Sequence, residues 1–130
     1  MLTCPDAAPA AFFAHRLPQL QEDGVVGTIV LDPGFGFGKT LEENYVVFSS
    51  LDQYSRLGHP LLVGVSRKSM ICRPLGIAPD EALAPTVALG AMALMKGARI
   101  LRVHDVREAR QTVALYSLMR DRSPQENENR

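Results

Sequence analysis

The residues with the clearest chemical potential lie in three short segments, each of which follows an apolar run. The first segment is 31–40, with the sequence LDPGFGFGKT. Its Asp32 carboxylate can accept two hydrogen bonds from an amidine-like edge such as that of a 2-aminopyrimidinone. An Asp before a Pro is also a common turn residue, so Asp32 alone leaves both roles open.

The glycine-rich stretch of this segment invites comparison with nucleotide-binding loops, and the comparison fails. A Walker A loop requires a Gly five positions before the Gly that precedes its Lys, and Pro33 occupies that position. The dinucleotide fingerprint requires a third Gly where Lys39 stands. The stretch therefore predicts a flexible loop after a strand, and ATP binding would be the observation that revives a nucleotide hydrolase.

The second segment is 64–69, with the sequence GVSRKS. Lys68 can donate hydrogen bonds, as a point charge, to a carbonyl oxygen or a ring nitrogen of a ligand. The Ser66 hydroxyl can bind a carboxylate. A solvated basic loop is the alternative interpretation of this segment, and the segment alone favours neither.

The third segment, 102–105, has the sequence RVHD. Because side chains alternate along a strand, Arg102 and His104 are predicted on one face, beside each other. Burial of an Arg is costly unless it meets an anion, so this pair suggests a phosphate or pyrophosphate site. The alternative is a structural pair, with Asp105 only capping the helix that follows.

The elements that must position these segments are predicted to be four helices and three strands, in the order α-βα-βα-βα. Capping signals and glycine stops place the helices, and short β-branched runs place the strands. Such alternation implies parallel strands, whose carboxyl ends form the edge where sites are built. The predicted helices cover 10–22, 40–56, 85–96 and 105–120, and the predicted strands cover 28–31, 61–65 and 100–103.

Composition sets limits on the class of protein. The chain has 130 residues and 14 basic against 14 acidic side chains, so its charge gives no reason to expect nucleic acid or a membrane as partner. Cys4 and Cys72 fit no paired-ligand spacing and are predicted to be reduced thiols. No signal peptide or membrane span is predicted, which implies a cytoplasmic protein, and residues 123–130 are predicted to be a disordered tail.

Taken in order, LDPGFGFGK, LLVGVSRKSMI and RVHDV resemble the dihydropteroate synthase family. The resemblance extends from about Phe12 to about Arg120. It implies a (β/α)8 TIM barrel, of which residues 1–122 would be the C-terminal portion. It also implies a homodimeric transferase of folate biosynthesis, which joins p-aminobenzoate to 6-hydroxymethyl-7,8-dihydropterin pyrophosphate and releases 7,8-dihydropteroate and pyrophosphate.

The resemblance implies roles for seven residues at three subsites. Of these, Lys68, Arg102 and His104 would be catalytic, the last two by stabilising the charge of the leaving pyrophosphate. No metal ligand is expected in this chain, because Mg²⁺ would arrive with the substrate pyrophosphate and meet its protein ligand in an earlier part of the barrel. The subsites comprise Asp32, Lys68 and Gly64 for the pterin, Phe37 and Ser66 for p-aminobenzoate, and Arg102 and His104 for pyrophosphate.

Length and three departures from the family pattern modify this expectation. A (β/α)8 barrel needs about 250 residues, so the chain is expected to hold half of one and to be inactive alone. Ala82, Pro85 and Cys72 depart from the pattern behind the site and predict altered loop geometry. The alternatives are a non-catalytic half-barrel that binds a partner or self-associates, and a folate-dependent methyltransferase, which the pyrophosphate-binding pair disfavours.

Overall fold

Short parallel strands and longer helices alternate along the chain in a computed structural model that describes residues 1–122. The predicted tail at 123–130 lies outside the described residues. No helix within the described part is both long and apolar enough to cross a membrane. The elements are β1 Leu2–Thr3, α1 Pro9–Glu22, β2 Leu31–Asp32, α2 Leu41–Ser49, α3 Leu51–Ser55, β3 Leu62–Val63, α4 Ser69–Leu75, a 3₁₀ turn Pro79–Glu81, α5 Leu83–Met95, β4 Ile100–Leu101 and α6 Val106–Asp121.

All the strand pairs are parallel, as the alternation predicts. β1 pairs with β2, placing Thr3 opposite Asp32, and β3 pairs with β4, placing Val63 opposite Leu101. A parallel bridge between Leu31 and Leu61 joins the two pairs, so the strands lie side by side in the order β1-β2-β3-β4. The α/β class and the parallel arrangement are confirmed. An eight-stranded barrel around them stays a prediction.

The predicted count of three strands and four helices is wrong for the described part of the chain, which has four strands and six α-helices. β1 pairs over only two residues, too few for any sequence pattern to reveal. No helix is predicted from the sequence over α4, but buried Met70 and Ile71 anchor it, and Gly76 ends it in a left-handed conformation, φ 64°. The helix predicted over 40–56 divides at Ser50 into α2 and α3.

The inward face of α2 also differs from the prediction. Apolar spacing predicts that Leu41, Tyr45, Phe48 and Leu51 face the core; Phe48 and Leu51 are buried, and Leu41 packs partly buried against it. The buried residues are instead Asn44, Val47, Phe48 and Leu51, whose i, i+3, i+4, i+7 spacing defines one helical face. Tyr45 is 37% exposed, and its hydroxyl donates to the carbonyl of Met70 at 2.6 Å. One polar residue, Asn44, therefore lies among the apolar residues of this buried face.

The observed first turns of α2 and α5 agree with the predictions made from the sequence. The Thr40 hydroxyl accepts from the Glu43 amide, and the Glu43 carboxylate accepts from the Thr40 amide, which is the predicted capping box. Pro85 lies in the first turn of α5, as expected.

Cys4 and Cys72 are free and buried. The core centres on fully buried Phe13, Leu31, Phe35, Leu51 and Leu61.

Candidate functional site

The carboxyl ends of β2, β3 and β4 bring one buried carboxylate together with cationic side chains. Asp32, the last residue of β2, is 1% exposed. Its Oδ1 accepts from the Gly34 amide at 2.9 Å, which is the turn contact expected of an Asp before Pro. Its Oδ2 accepts from the Thr3 hydroxyl at 3.4 Å and lies 3.6 Å from Nη1 of Arg102. The turn role and the ligand-binding role considered for Asp32 are thus compatible.

Arg102 follows β4 and lies across the backbone of β3. Its amide donates to the Val63 carbonyl at 3.0 Å, which directs the side chain over Gly64. A Cβ placed on Gly64 would lie 2.8 Å from Nη2 and 3.0 Å from Nε of Arg102. The guanidinium thus occupies the space that the missing side chain of Gly64 leaves. The Arg102 side chain is 46% exposed, so the expected burial is not found and its free edge faces solvent.

The close approach at Gly64 gives a testable prediction. Gly64→Ala is expected to displace the guanidinium from Asp32, because the added methyl overlaps it. If Arg102 binds pyrophosphate, as the family resemblance implies, the displaced guanidinium should lower the affinity for inorganic pyrophosphate roughly tenfold, as measured by calorimetry. Gly90→Ala is the control, because a Cβ there meets Leu101 at an ordinary 3.5 Å. Equal affinities of the two variants would contradict the prediction.

Lys68 reaches from the end of β3 back to the glycine-rich segment. Its Nζ donates to the Phe35 carbonyl at 2.8 Å and lies 5.5 Å from the centre of the Phe37 ring. Burial lowers the pKa of the Lys68 ammonium, and the positive charges of Arg102 and Lys39 lower it further, while Asp32 acts in the opposite direction. Arg102, Lys39 and Asp32 are therefore all near enough to act on the charge of Lys68.

The lowered pKa of Lys68 predicts a pH dependence of stability. Just below the ordinary lysine pKa of 10.5, the unfolded chain holds more protons than the folded one, so stability should rise with pH there. The cost of the buried charge is fully present at lower pH. The unfolding free energy of the wild type, relative to Lys68→Met, should rise through this range. Lys96→Met is the control, since Lys96 makes a similar bond to the Ser49 carbonyl at the exposed surface. A flat difference between wild type and Lys68→Met would contradict the prediction.

The glycine-rich segment is held by two residues that sequence reasoning left unassigned. Asn44 Oδ1 accepts from the Gly36 amide at 3.0 Å, and Asn44 Nδ2 donates to the Thr40 carbonyl at 3.0 Å. The Lys39 ammonium donates to the Gly34 carbonyl at 2.6 Å. The polar residue in the apolar stripe of α2 was the available signal, because a buried amide needs partners. Phe37, at the tip of the segment, is 55% exposed.

Two contacts join the segment after β3 to the segment after β4. Ser66 Oγ lies 2.7 Å from His104 Nδ1, and the Arg67 guanidinium makes two bonds to the Asp105 carboxylate, at 3.0 and 3.1 Å. The hydrogen bonds that Arg67 donates to the Asp105 carboxylate raise the pKa of the guanidinium. The prediction that Asp105 caps α6 is wrong: it occupies the N-cap position, but its carboxylate binds Arg67 and makes no capping bond.

The seven predicted site residues thus lie in three pairs and one stacked position. Asp32 meets Arg102, Lys68 meets Phe37, Ser66 meets His104, and Gly64 lies beneath Arg102. Arg102 and His104 reach different partners, although they follow the same strand. Within residues 1–122, no three His, Cys, Asp or Glu side chains form a cluster that could hold a metal ion. The expectation that Mg²⁺ comes with the substrate stays a prediction.

Comparison with known proteins places this geometry in a family. Residues 6–104 match the family described as pterin binding enzyme. The chain belongs to the pterin-binding enzyme family. The matched range contains every one of the seven predicted site residues.

Relatives within the pterin-binding enzyme family are dihydropteroate synthases. The chain is 43% identical over 98 residues to the Escherichia coli K12 enzyme, covering 75% of this chain and 35% of the relative. The Yersinia pestis structure superposes with a TM-score of 0.85 at 36% identity, covering 92% of this chain and 57% of that one. The Thermus thermophilus enzyme with 6HMPPP gives 0.82 at 38% identity, covering 90% and 51%. The chain thus spans about a third of the length of such a curated relative.

Proposed function

We propose that these residues form the C-terminal portion of the (β/α)8 barrel of a dihydropteroate synthase. The reaction condenses p-aminobenzoate with 6-hydroxymethyl-7,8-dihydropterin pyrophosphate to give 7,8-dihydropteroate and pyrophosphate. The observation that carries the proposal is the buried Asp32 carboxylate flanked by Arg102 and Lys68 at the carboxyl ends of adjacent parallel strands. One such edge offers an acceptor for a pterin and donors for its pyrophosphate.

The pterin ring is assigned to Asp32 and Lys68. A 2-amino-4-oxopteridine presents two neighbouring N–H donors, and a carboxylate accepts such a pair in a bidentate manner. Asp32 is fixed for this role by the bond from the Gly34 amide. Lys68 lies on the other side of the glycine-rich segment and can donate to the ring carbonyl or a ring nitrogen. The matching of donors and acceptors selects this ring class.

The pyrophosphate is assigned to Arg102 and His104. In the proposed reaction, the bond between the pterin methylene carbon and the pyrophosphate oxygen breaks first, and the electron pair leaves with the pyrophosphate. The amine of p-aminobenzoate then attacks the resulting cation and loses a proton. Arg102, with its free edge exposed, and His104 stabilise the developing negative charge. The exposed Phe37 ring is assigned to the p-aminobenzoate side, and Mg²⁺ is assigned to the substrate pyrophosphate.

A chimeric enzyme tests this proposal without depending on the chain alone. Residues 6–104, the range that matches the family, replace their counterparts in the Escherichia coli enzyme, and dihydropteroate formation is measured. The chimera is expected to be active, and His104→Ala within it should reduce kcat roughly 100-fold. The 130-residue chain by itself is expected to make little or no product. An inactive but folded chimera would contradict the assignment.

A non-catalytic role in self-association is the second candidate. Its supporting observation is an open groove beside β4, lined by Leu101, Val103, Val106 and Val113 among others. Val106 and Val113 are exposed apolar residues of α6. An unpaired strand edge next to apolar side chains favours association. Sedimentation across a range of concentrations tests it, and a constant monomer mass would exclude it.

A further inference from the structure

The hydrogen bonds of Ser66 bear on both the position and the tautomer of His104. Ser66 Oγ accepts from the His104 backbone amide at 3.2 Å and lies 2.7 Å from the Nδ1 atom of the same residue. The serine is 6% exposed. One buried hydroxyl therefore contacts both the backbone and the ring of His104.

The hydroxyl has one hydrogen and two lone pairs, and this count decides the direction of the short contact. Nδ1 of His104 is the only acceptor that Ser66 Oγ reaches within residues 1–122. If Nδ1 carried a hydrogen and donated it, the serine hydrogen would be buried without an acceptor, which is unfavourable. The favourable arrangement is donation from Ser66 to Nδ1. The hydrogen of the neutral imidazole then resides on Nε2.

We propose that Ser66 is a positioning residue, which fixes His104 in the Nε2–H form and so supplies a ready hydrogen-bond donor for an anion. The Nε2 atom makes no hydrogen bond inside the described part of the chain, so its donor is available to a ligand. A donor that is already oriented requires no rearrangement when the anion binds. The inference rests on the proposed function, in which His104 meets pyrophosphate.

The neighbouring contacts make the arrangement rigid. Arg67, next to Ser66, binds Asp105, next to His104, through two hydrogen bonds. The Arg67 amide donates to the buried Thr86 hydroxyl at 3.1 Å. Ser66 and Arg67, which follow β3, therefore form hydrogen bonds with His104 and Asp105, which follow β4. The same bonding bears on the role that the family resemblance implies for Ser66, because a hydrogen donated to Nδ1 is not available to the carboxylate of p-aminobenzoate.

Nitrogen NMR of the full 130-residue chain tests the proposal directly. The ring nitrogens of His104 are assigned by comparison with His104→Gln, and spectra are recorded above the ordinary histidine pKa of about 6.5. The expected spectrum has a protonated Nε2 and an unprotonated Nδ1. Ser66→Ala should produce a mixture of the two tautomers, and Ser66→Thr, which keeps a hydroxyl, should restore the Nε2–H form. A wild-type proton on Nδ1, or an unchanged spectrum in Ser66→Ala, would overturn the proposal.

Calorimetry with inorganic pyrophosphate distinguishes a failure of this inference from a failure of the proposed function. Ser66→Ala should lower affinity roughly tenfold, the loss of one oriented charged hydrogen bond, and Ser66→Thr should recover most of it. If His104→Ala lowers affinity and Ser66→Ala does not, the positioning role is wrong. If His104→Ala leaves affinity unchanged, the assignment of His104 to pyrophosphate fails, and the tautomer spectra still decide the role of Ser66.

Discussion

Asp32→Asn is expected to weaken binding of a 2-amino-4-oxopteridine such as 6-hydroxymethylpterin by roughly 10- to 100-fold, because hydrogen bonds to a charged group contribute about 1.5–3 kcal/mol. The amide oxygen of Asn can still accept from the Gly34 amide, so the turn should persist. The new amide group would present donors to the Arg102 guanidinium, where the carboxylate presents an acceptor. Calorimetric titration with the pterin measures the effect.

Asp52→Asn provides the matched control for this experiment. Asp52 also faces an arginine, since its Oδ2 lies 3.6 Å from Nη2 of Arg56, but that pair is exposed on α3. The same chemical change there should leave pterin affinity within about twofold, since exposed ion pairs contribute little. If the two variants bind the pterin equally well, Asp32 serves only the turn, and the pterin assignment falls.

The second large effect is expected from Gly34→Ala, which should lower the unfolding free energy by about 2–5 kcal/mol. Gly34 has φ 76°, a conformation that costs an L-residue energy. An added Cβ would also overlap the carbonyl oxygen of Cys4. The backbone amide of Cys4 donates to the backbone carbonyl of Asp32 at 2.8 Å. The clash is with backbone, so the paired ends of β1 and β2 must separate. Urea unfolding followed by circular dichroism measures the loss.

Gly58→Ala isolates the conformational part of that effect. Gly58 has φ 83°, close to the value at Gly34, and no atom lies within 4 Å of a Cβ built on it. Its substitution should cost only the left-handed backbone, about 1–2 kcal/mol. A loss at Gly34 no greater than the loss at Gly58 would show that the Cys4 contact relaxes freely, contrary to the expectation.

Local sequence rules predicted the features that depend on neighbouring residues. The Thr40–Glu43 capping box and Pro85 in the first turn of α5 are set by side chains within one turn of each other. The parallel arrangement followed from the alternation of short apolar runs with helical segments. The polar segments that follow β2, β3 and β4 were also evident, because Asp32, Ser66 and Arg102 each come directly after apolar residues of a predicted strand.

Features set by distant contacts were not predictable in the same way. Asp105 has the sequence position of a cap, but Arg67, 38 residues earlier, offers two hydrogen bonds and takes the carboxylate. α3 separates from α2 at Ser50 although the apolar spacing continues through Leu51. Arg102 is 46% exposed, contrary to the expected burial, and its contact with Asp32 at the end of β2 was not evident from the sequence. For Asp105 and Arg102, the contact partner belongs to another element.

The cluster of Lys39, Lys68 and Arg102 around Asp32 has a kinetic consequence. Three cations and one carboxylate leave a local excess of two positive charges on a chain whose formal net charge is zero. That excess acts only over about 8 Å at physiological ionic strength, which is one Debye length. An anion such as the pyrophosphate of the proposed reaction would therefore be attracted only near the end of its approach. Added salt should therefore slow its capture only modestly.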